Sequence, residues 1–204
     1  MNLSASLVAQ SRATPVQRLR RLLLGGLGGV WLAGCASHPS SYTPDYQQAL
    51  QQVVAVQPTP AQAQALAERF VATFSQLGRP EFLTAVQDLY APSLYSNDTL
   101  AIYHQRSALM RHFVGMNQRV SAARVQLVSQ TLAGERVYVH WDMAYDLKFL
   151  GQTRSMHSYG VSELKMNAQG QVVFQQDYWD PNNGLFRQLP WVGGLYAAVL
   201  PFRR

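Results

Sequence analysis

Cysteine is almost absent from this chain: Cys35 is the only one in 204 residues. A single cysteine forms no internal disulfide, so the fold must be held by its core. Lysine is nearly as scarce, with only Lys148 and Lys165, and no acidic residue precedes Cys35. The formal net charge of +6 therefore needs locating before it is read as a nucleic-acid signal. Of the 17 basic residues, Arg12, Arg18, Arg20 and Arg21 lie before Cys35, which leaves 13 against 11 acidic ones after it. No basic stripe remains to track phosphates, and nucleic acid is not an expected partner. The sequence also has no glycine-rich phosphate loop and no Gly-x-Ser-x-Gly nucleophile elbow. What is abundant is apolar residues, 48% against 14% charged, enough for a single globular core.

The arginines lead into the apolar run from Leu22 to Leu32. Eleven helical residues cover roughly 16 Å, about half a bilayer core, which disfavours a permanent span. A basic start, a short apolar stretch and a small-residue exit describe a signal peptide. The exit, Leu32-Ala33-Gly34-Cys35, resembles the lipobox of bacterial lipoproteins. That resemblance implies diacylglycerol on the Cys35 sulfur, cleavage before Cys35 and acylation of the new amine. Two or more acyl chains make such an anchor stable, whereas one does not. Residue 36 is alanine, not the aspartate associated with inner-membrane retention, so the resemblance favours the outer membrane, facing the periplasm.

Beyond the anchor, the serines and prolines from Ser37 to Pro44 suit an extended tether, and a short helix is expected between Tyr46 and Val56. Thr59, Pro60 and Gln62 form a capping-box signature. Ala63, Leu66, Ala67, Phe70, Phe74 and Leu77 then recur at three and four, predicting a helix with one apolar face that ends at Gly78. A second helix should open at Pro80 and stop before Pro92, and a third should begin near Ser107. From Val120 the period becomes two. Val137, Val139, Trp141, Met143 and Tyr145 share one strand face, opposite Tyr138, His140, Asp142, Ala144 and Asp146. A hairpin near Leu150-Gly151 should pair Ala144 with His157, and Asn167 to Gly170 should turn the chain into a last strand, Val172 to Trp179. Helices followed by a long antiparallel meander make an α+β domain.

Three stretches carry a further resemblance: Phe70 to Tyr90 (FVATFSQLGRPEFLTAVQDLY), Leu94 to Phe113, and Leu164 to Asp180 (LKMNAQGQVVFQQDYWD). Over about residues 61–180 the chain resembles the nuclear transport factor 2-like superfamily, which includes SnoaL-like proteins and ketosteroid isomerase. The resemblance implies a cone, in which a curved antiparallel sheet wraps N-terminal helices and leaves a pocket at the open end. Members include isomerases, hydrolases, cyclases and binding or dimerisation modules, so the fold does not fix an activity. The isomerase's base falls on Asp98. Its oxyanion tyrosine falls on Phe70 and its protonated carboxyl on Ser162, neither of which supplies the required donor. That isomerisation is not expected. Asp98 also reads as a turn carboxylate before Thr99.

The sheet is dense in aromatic residues with aspartates among them. Tyr103, Trp141, Tyr145, Tyr159, Asp177 and Trp179 are the candidate pocket residues, with Asp98 as the candidate catalytic one. A buried carboxylate needs partners, and Tyr103 or Tyr159 could supply them. A metal is not expected, because the predicted register leaves His140 and His157 roughly 13 Å apart along a strand. No cofactor is expected either. The sequence thus divides into a signal peptide (1–34), the lipidated cysteine and tether (35–58), the pocket domain (59–182) and an apolar tail (183–204). The leading reading is an anchored domain that binds a small apolar or amphiphilic ligand. The rivals are an aspartate-based enzyme of the SnoaL-like or isomerase type, and an assembly module forming a homodimer. The tail is read as a flap on the domain or as a contact with the bilayer.

Overall fold

Thr59 caps the principal helix as its spacing requires. The Gln62 amide donates to Thr59 Oγ1 at 3.3 Å, and the Thr59 amide donates to Gln62 Oε1 at 2.8 Å. The computed structural model describes residues 42–189 and Gly194. The expected signal peptide, Cys35, most of the expected tether and the distal tail lie outside the described residues. The described residues from Pro44 onward form one compact unit.

Helix α1 (Tyr42–Gln52) comes first, ending four residues earlier than expected. Helix α2 (Pro60–Phe74) buries Ala63, Leu66, Ala67 and Phe70. Its last regular turn ends at Phe74, and the chain continues in turns as far as Gly78. Gly78 has φ +90, and a Cβ there would stand 2.4 Å from the carbonyl oxygen of Val120. Only glycine allows that approach. Helix α3 (Phe82–Leu89) begins two residues after Pro80 and runs directly into strand β1 (Tyr90–Asn97). Pro92 therefore lies within a strand, and its missing amide coincides with irregular register against β6 between Tyr90 and Tyr95. Strand β2 (Ile102–Gln105) and helix α4 (Arg106–Asn117) follow.

The long strands β3 (Val120–Ala133), β4 (Arg136–Phe149) and β5 (Gln152–Met166) and the shorter β6 (Val172–Trp179) complete a curved six-stranded sheet. Its order is β2-β1-β6-β5-β4-β3. The β4–β5 turn has Leu150 at φ 49 and Gly151 at φ 76, the paired positive values of a two-residue hairpin whose twist suits its strands. Ala144 pairs with His157 as expected. One pairing departs from the antiparallel meander: β1 runs parallel to β6. A strand between helices can join a sheet's far edge only by long-range pairing, which local periodicity does not report. A short helix α5 (Pro181–Gly184), capped by Asp180, and a 3-10 turn (Phe186–Gln188) end the described chain apart from Gly194.

Helices α2, α3 and α4 pack into the concave face, with Phe74, Phe82 and Phe113 in mutual ring contact at 5.4–6.1 Å. A smaller core lies on the convex face, where Ala49 of α1 meets Tyr95 and Phe174.

Candidate functional site

Between the helices and the concave face lies a cavity of about 200 Å³. Phe70 and Phe74 of α2, Phe113 of α4 and Trp141, Met143 and Tyr145 of β4 give it a largely apolar wall. Burial raises the Tyr145 hydroxyl pKa above the ordinary phenol value. The β4 residues reach the wall together because a strand sends alternate side chains to one face. Gly160 of β5 pairs with Trp141 of β4, and a Cβ there would lie 2.7 Å from Trp141 Cζ2 and 2.8 Å from Trp179 Cβ. The absent side chain is what lets the two indoles occupy this part of the wall.

The polar lining is built on β5 and β6. Ser162 faces Asp177 across the sheet and donates to its Oδ1 at 2.7 Å. Gln175, two residues before Asp177 on the same face, donates to both carboxyl oxygens at 2.9 and 2.8 Å. Further donors stand behind these: Trp141 Nε1 to Ser162 Oγ at 3.0 Å, and the Tyr90 hydroxyl to Gln175 Oε1. Burial pushes the Asp177 carboxyl up to about 7, against the lowering effect of Ser162 and Gln175; the nearby Asp98 charge adds to the rise.

The second polar feature comes from the end of β1. Asp98 Oδ1 accepts the amides of Leu100 and Ala101 at 2.9 and 2.8 Å, so it is a turn carboxylate. It is also a cavity residue, with Oδ2 lying 3.3 Å from Nε2 of His112 on α4. That contact is close enough for an ion pair but too oblique for a hydrogen bond, and the buried nitrogen has no other hydrogen-bond partner. Trp179 Nε1 donates to the Asp98 carbonyl at 2.9 Å and fixes the turn against β6.

Of the sequence candidates, Asp98, Trp141, Tyr145, Asp177 and Trp179 converge on the cavity. Two do not. Tyr159 is 70% exposed on the convex face, because strand alternation directs its neighbours Ser158 and Gly160 inward and Tyr159 outward. Tyr103 packs behind the wall, its ring 5.3 Å from that of His112. Burial, and then the charge of Asp98, raise its hydroxyl pKa. The partners of Asp177 are thus Ser162 and Gln175, not Tyr103 or Tyr159. Sequence reasoning missed Gln175 and His112 as site residues. Gln175 was readable, since it shares a strand face with Asp177; His112 depends on how α4 docks.

Asp142 and His157, also outside the cavity, pair on the convex face at 2.9 Å. Among the described residues, no three of His, Cys, Asp and Glu gather as a metal site. Leu185, at the start of the expected tail, lines the cavity.

The curved sheet wrapped on three helices, with a pocket on its concave side, is the nuclear transport factor 2-like fold. No family model matches the sequence, and no curated protein matches it. Solved structures do. An LEH-like epoxide hydrolase from M. tuberculosis is 17% identical with TM-score 0.52, covering 71% of this chain and 100% of its own. A SnoaL-like protein from Shewanella denitrificans, assigned as a polyketide cyclase, is 14% identical with TM-score 0.53, covering 61% of this chain and 94% of its own. A protein of ketosteroid isomerase-like fold from Catenulispora acidiphila, solved with trimethylamine, is 14% identical with TM-score 0.51, covering 64% of this chain and 94% of its own. At these identities the likeness is one of fold.

Proposed function

We propose that this chain is an envelope lipoprotein whose cone domain holds one small, largely apolar molecule by a single polar group. The observation that carries the binding reading is the cavity itself. Its walls are aromatic and aliphatic, and its hydrogen-bonding groups converge at Asp98 and Asp177. Apolar walls with a few placed polar groups are the general character of small-molecule sites. At about 200 Å³ the space suits a one-ring or short-chain molecule, since a dry cavity of ~150 Å³ holds benzene. The anchoring half rests on Leu32-Ala33-Gly34-Cys35 and on Ala36, which favour the periplasmic face of the outer membrane. Among the described residues no helix is long and apolar enough to cross a membrane. Mass spectrometry of small molecules released from protein purified in its native membrane tests the binding reading. A stoichiometric ligand supports it, and a mutation closing the cavity without loss of that ligand overturns it.

A second reading uses the same pocket for acid–base catalysis. It is favoured by Asp177, a carboxyl raised to about 7 with Asp98 nearby, Asp98 itself lying 3.3 Å from His112. The fold hosts an epoxide hydrolase in the M. tuberculosis protein. Turnover with a pH profile near 7 that is lost in Asp177→Asn separates this reading from binding alone.

A further inference from the structure

The cavity is one-sided in charge. Among the described residues, two carboxylates line it and no lysine or arginine does. Asp98 has His112 beside it, but Asp177 has no cationic partner. Among the described residues no Lys, Arg or His nitrogen lies within ion-pair distance of it, and its three hydrogen bonds come from the neutral Ser162 hydroxyl and Gln175 amide. Both carboxylates stand at one level of the sheet, one residue beyond the Asn97–Gln176 pair that joins β1 to β6. A carboxylate held by dipoles alone in apolar surroundings is stabilised most by a cation that enters with the ligand. Aromatic walls suit the same guest, because ring faces attract organic cations.

We infer that the cavity selects small organic cations, taking a protonated amine on a one-ring or short-chain body with the ammonium between Asp98 and Asp177. This rests on the pocket reading above. A carboxylate ligand would bring a third acid into a cavity with no lysine or arginine among its described residues, and a neutral ligand would leave an ionised Asp177 without a counter-charge. The raised pKa of Asp177 agrees with this geometry.

The test uses the full mature chain in nanodiscs of neutral lipid, titrated near neutral pH with benzylamine, benzyl alcohol and benzoate. These ligands match in size and differ in charge. Binding is followed by ligand-observed NMR, with empty nanodiscs subtracted. Benzylamine is expected to bind about tenfold more tightly than benzyl alcohol, with benzoate weakest. Asp177→Asn should lower benzylamine affinity by about tenfold and leave benzyl alcohol nearly unchanged. Equal binding of amine and alcohol, or a preference for benzoate, overturns the cation inference while leaving the pocket reading intact. Binding of none of the three overturns the pocket reading at this ligand size, and the inference with it. Because the wild-type comparison decides the question alone, it stands even where the variant fails to fold.

Discussion

Ser162 and Asp177 are cross-strand neighbours whose side chains meet at 2.7 Å, with the hydroxyl donating to the carboxyl. Ser162 in turn accepts from Trp141, so one buried hydroxyl couples the cavity's acid to its aromatic wall. In the ketosteroid isomerase resemblance, position 162 is where a protonated carboxyl would stand. Here the carboxyl is on the adjacent strand, and serine tunes it.

Ser162→Ala removes a donor that stabilises the ionised form of Asp177 and strands the Trp141 N–H. The Asp177 pKa should rise further above about 7, and the domain should lose about 1–3 kcal/mol of stability. Carboxyl-carbon NMR titration and denaturant unfolding measure the two effects. A fall in the Asp177 pKa would show that the hydroxyl does not act on the carboxylate.

Asp177 also sets a pH dependence of stability. Its folded value of about 7 lies above the ordinary aspartate value, so the folded protein binds this proton more tightly than the unfolded chain does. Both states hold the proton at low pH, and the penalty is absent there. As pH rises from about 4 to about 7 the unfolded chain ionises first and stability falls, by about 4 kcal/mol at most, then levels off. Asp177→Asn should flatten that decline. Melting temperatures of both proteins across this range decide the matter, and parallel curves would refute the assignment.

Amine binding should follow the same group. Below about pH 7 the fraction of ionised Asp177 drops about tenfold per unit, and benzylamine affinity should drop with it. The side chains that face Asp177 from β1, β5 and β6, Tyr90, Ser162 and Gln175, stay neutral over the range. Affinity independent of pH between 5 and 7 would remove Asp177 from the binding step.

Gly160→Ala places a methyl within 2.8 Å of Trp141, Trp179 and the Tyr178 carbonyl. The indoles must shift, at a cost of about 1–3 kcal/mol, and the cavity they line changes shape. Ligand affinity should weaken together with stability. An unchanged melting point would mean that the wall relaxes freely.

Cys35→Ser tests the anchor. The variant should lose labelling by a fatty-acid probe and leave the membrane fraction. Labelling that persists in the variant would place the lipid elsewhere or nowhere.

Much of this protein was legible in its residues because the relevant physics is local. Thr59, Pro60 and Gln62 satisfy helix-end donors within a single turn. The alternation from Val137 to Tyr145 assigns a strand face, and Leu150-Gly151 sets the register that pairs Ala144 with His157. What the sequence could not decide is which distant groups meet. The parallel docking of β1 on β6 brings Asp98 level with Asp177, and α4 brings His112 to Asp98. Alternation counted from β5 turns Tyr159 outward, although composition alone made it a pocket candidate. Helix caps and strand faces follow from neighbours a few residues apart. A charged cavity follows from the packing of residues as far apart as 98 and 177, and only the tertiary structure, through the parallel pairing of β1 with β6, brings them to one level.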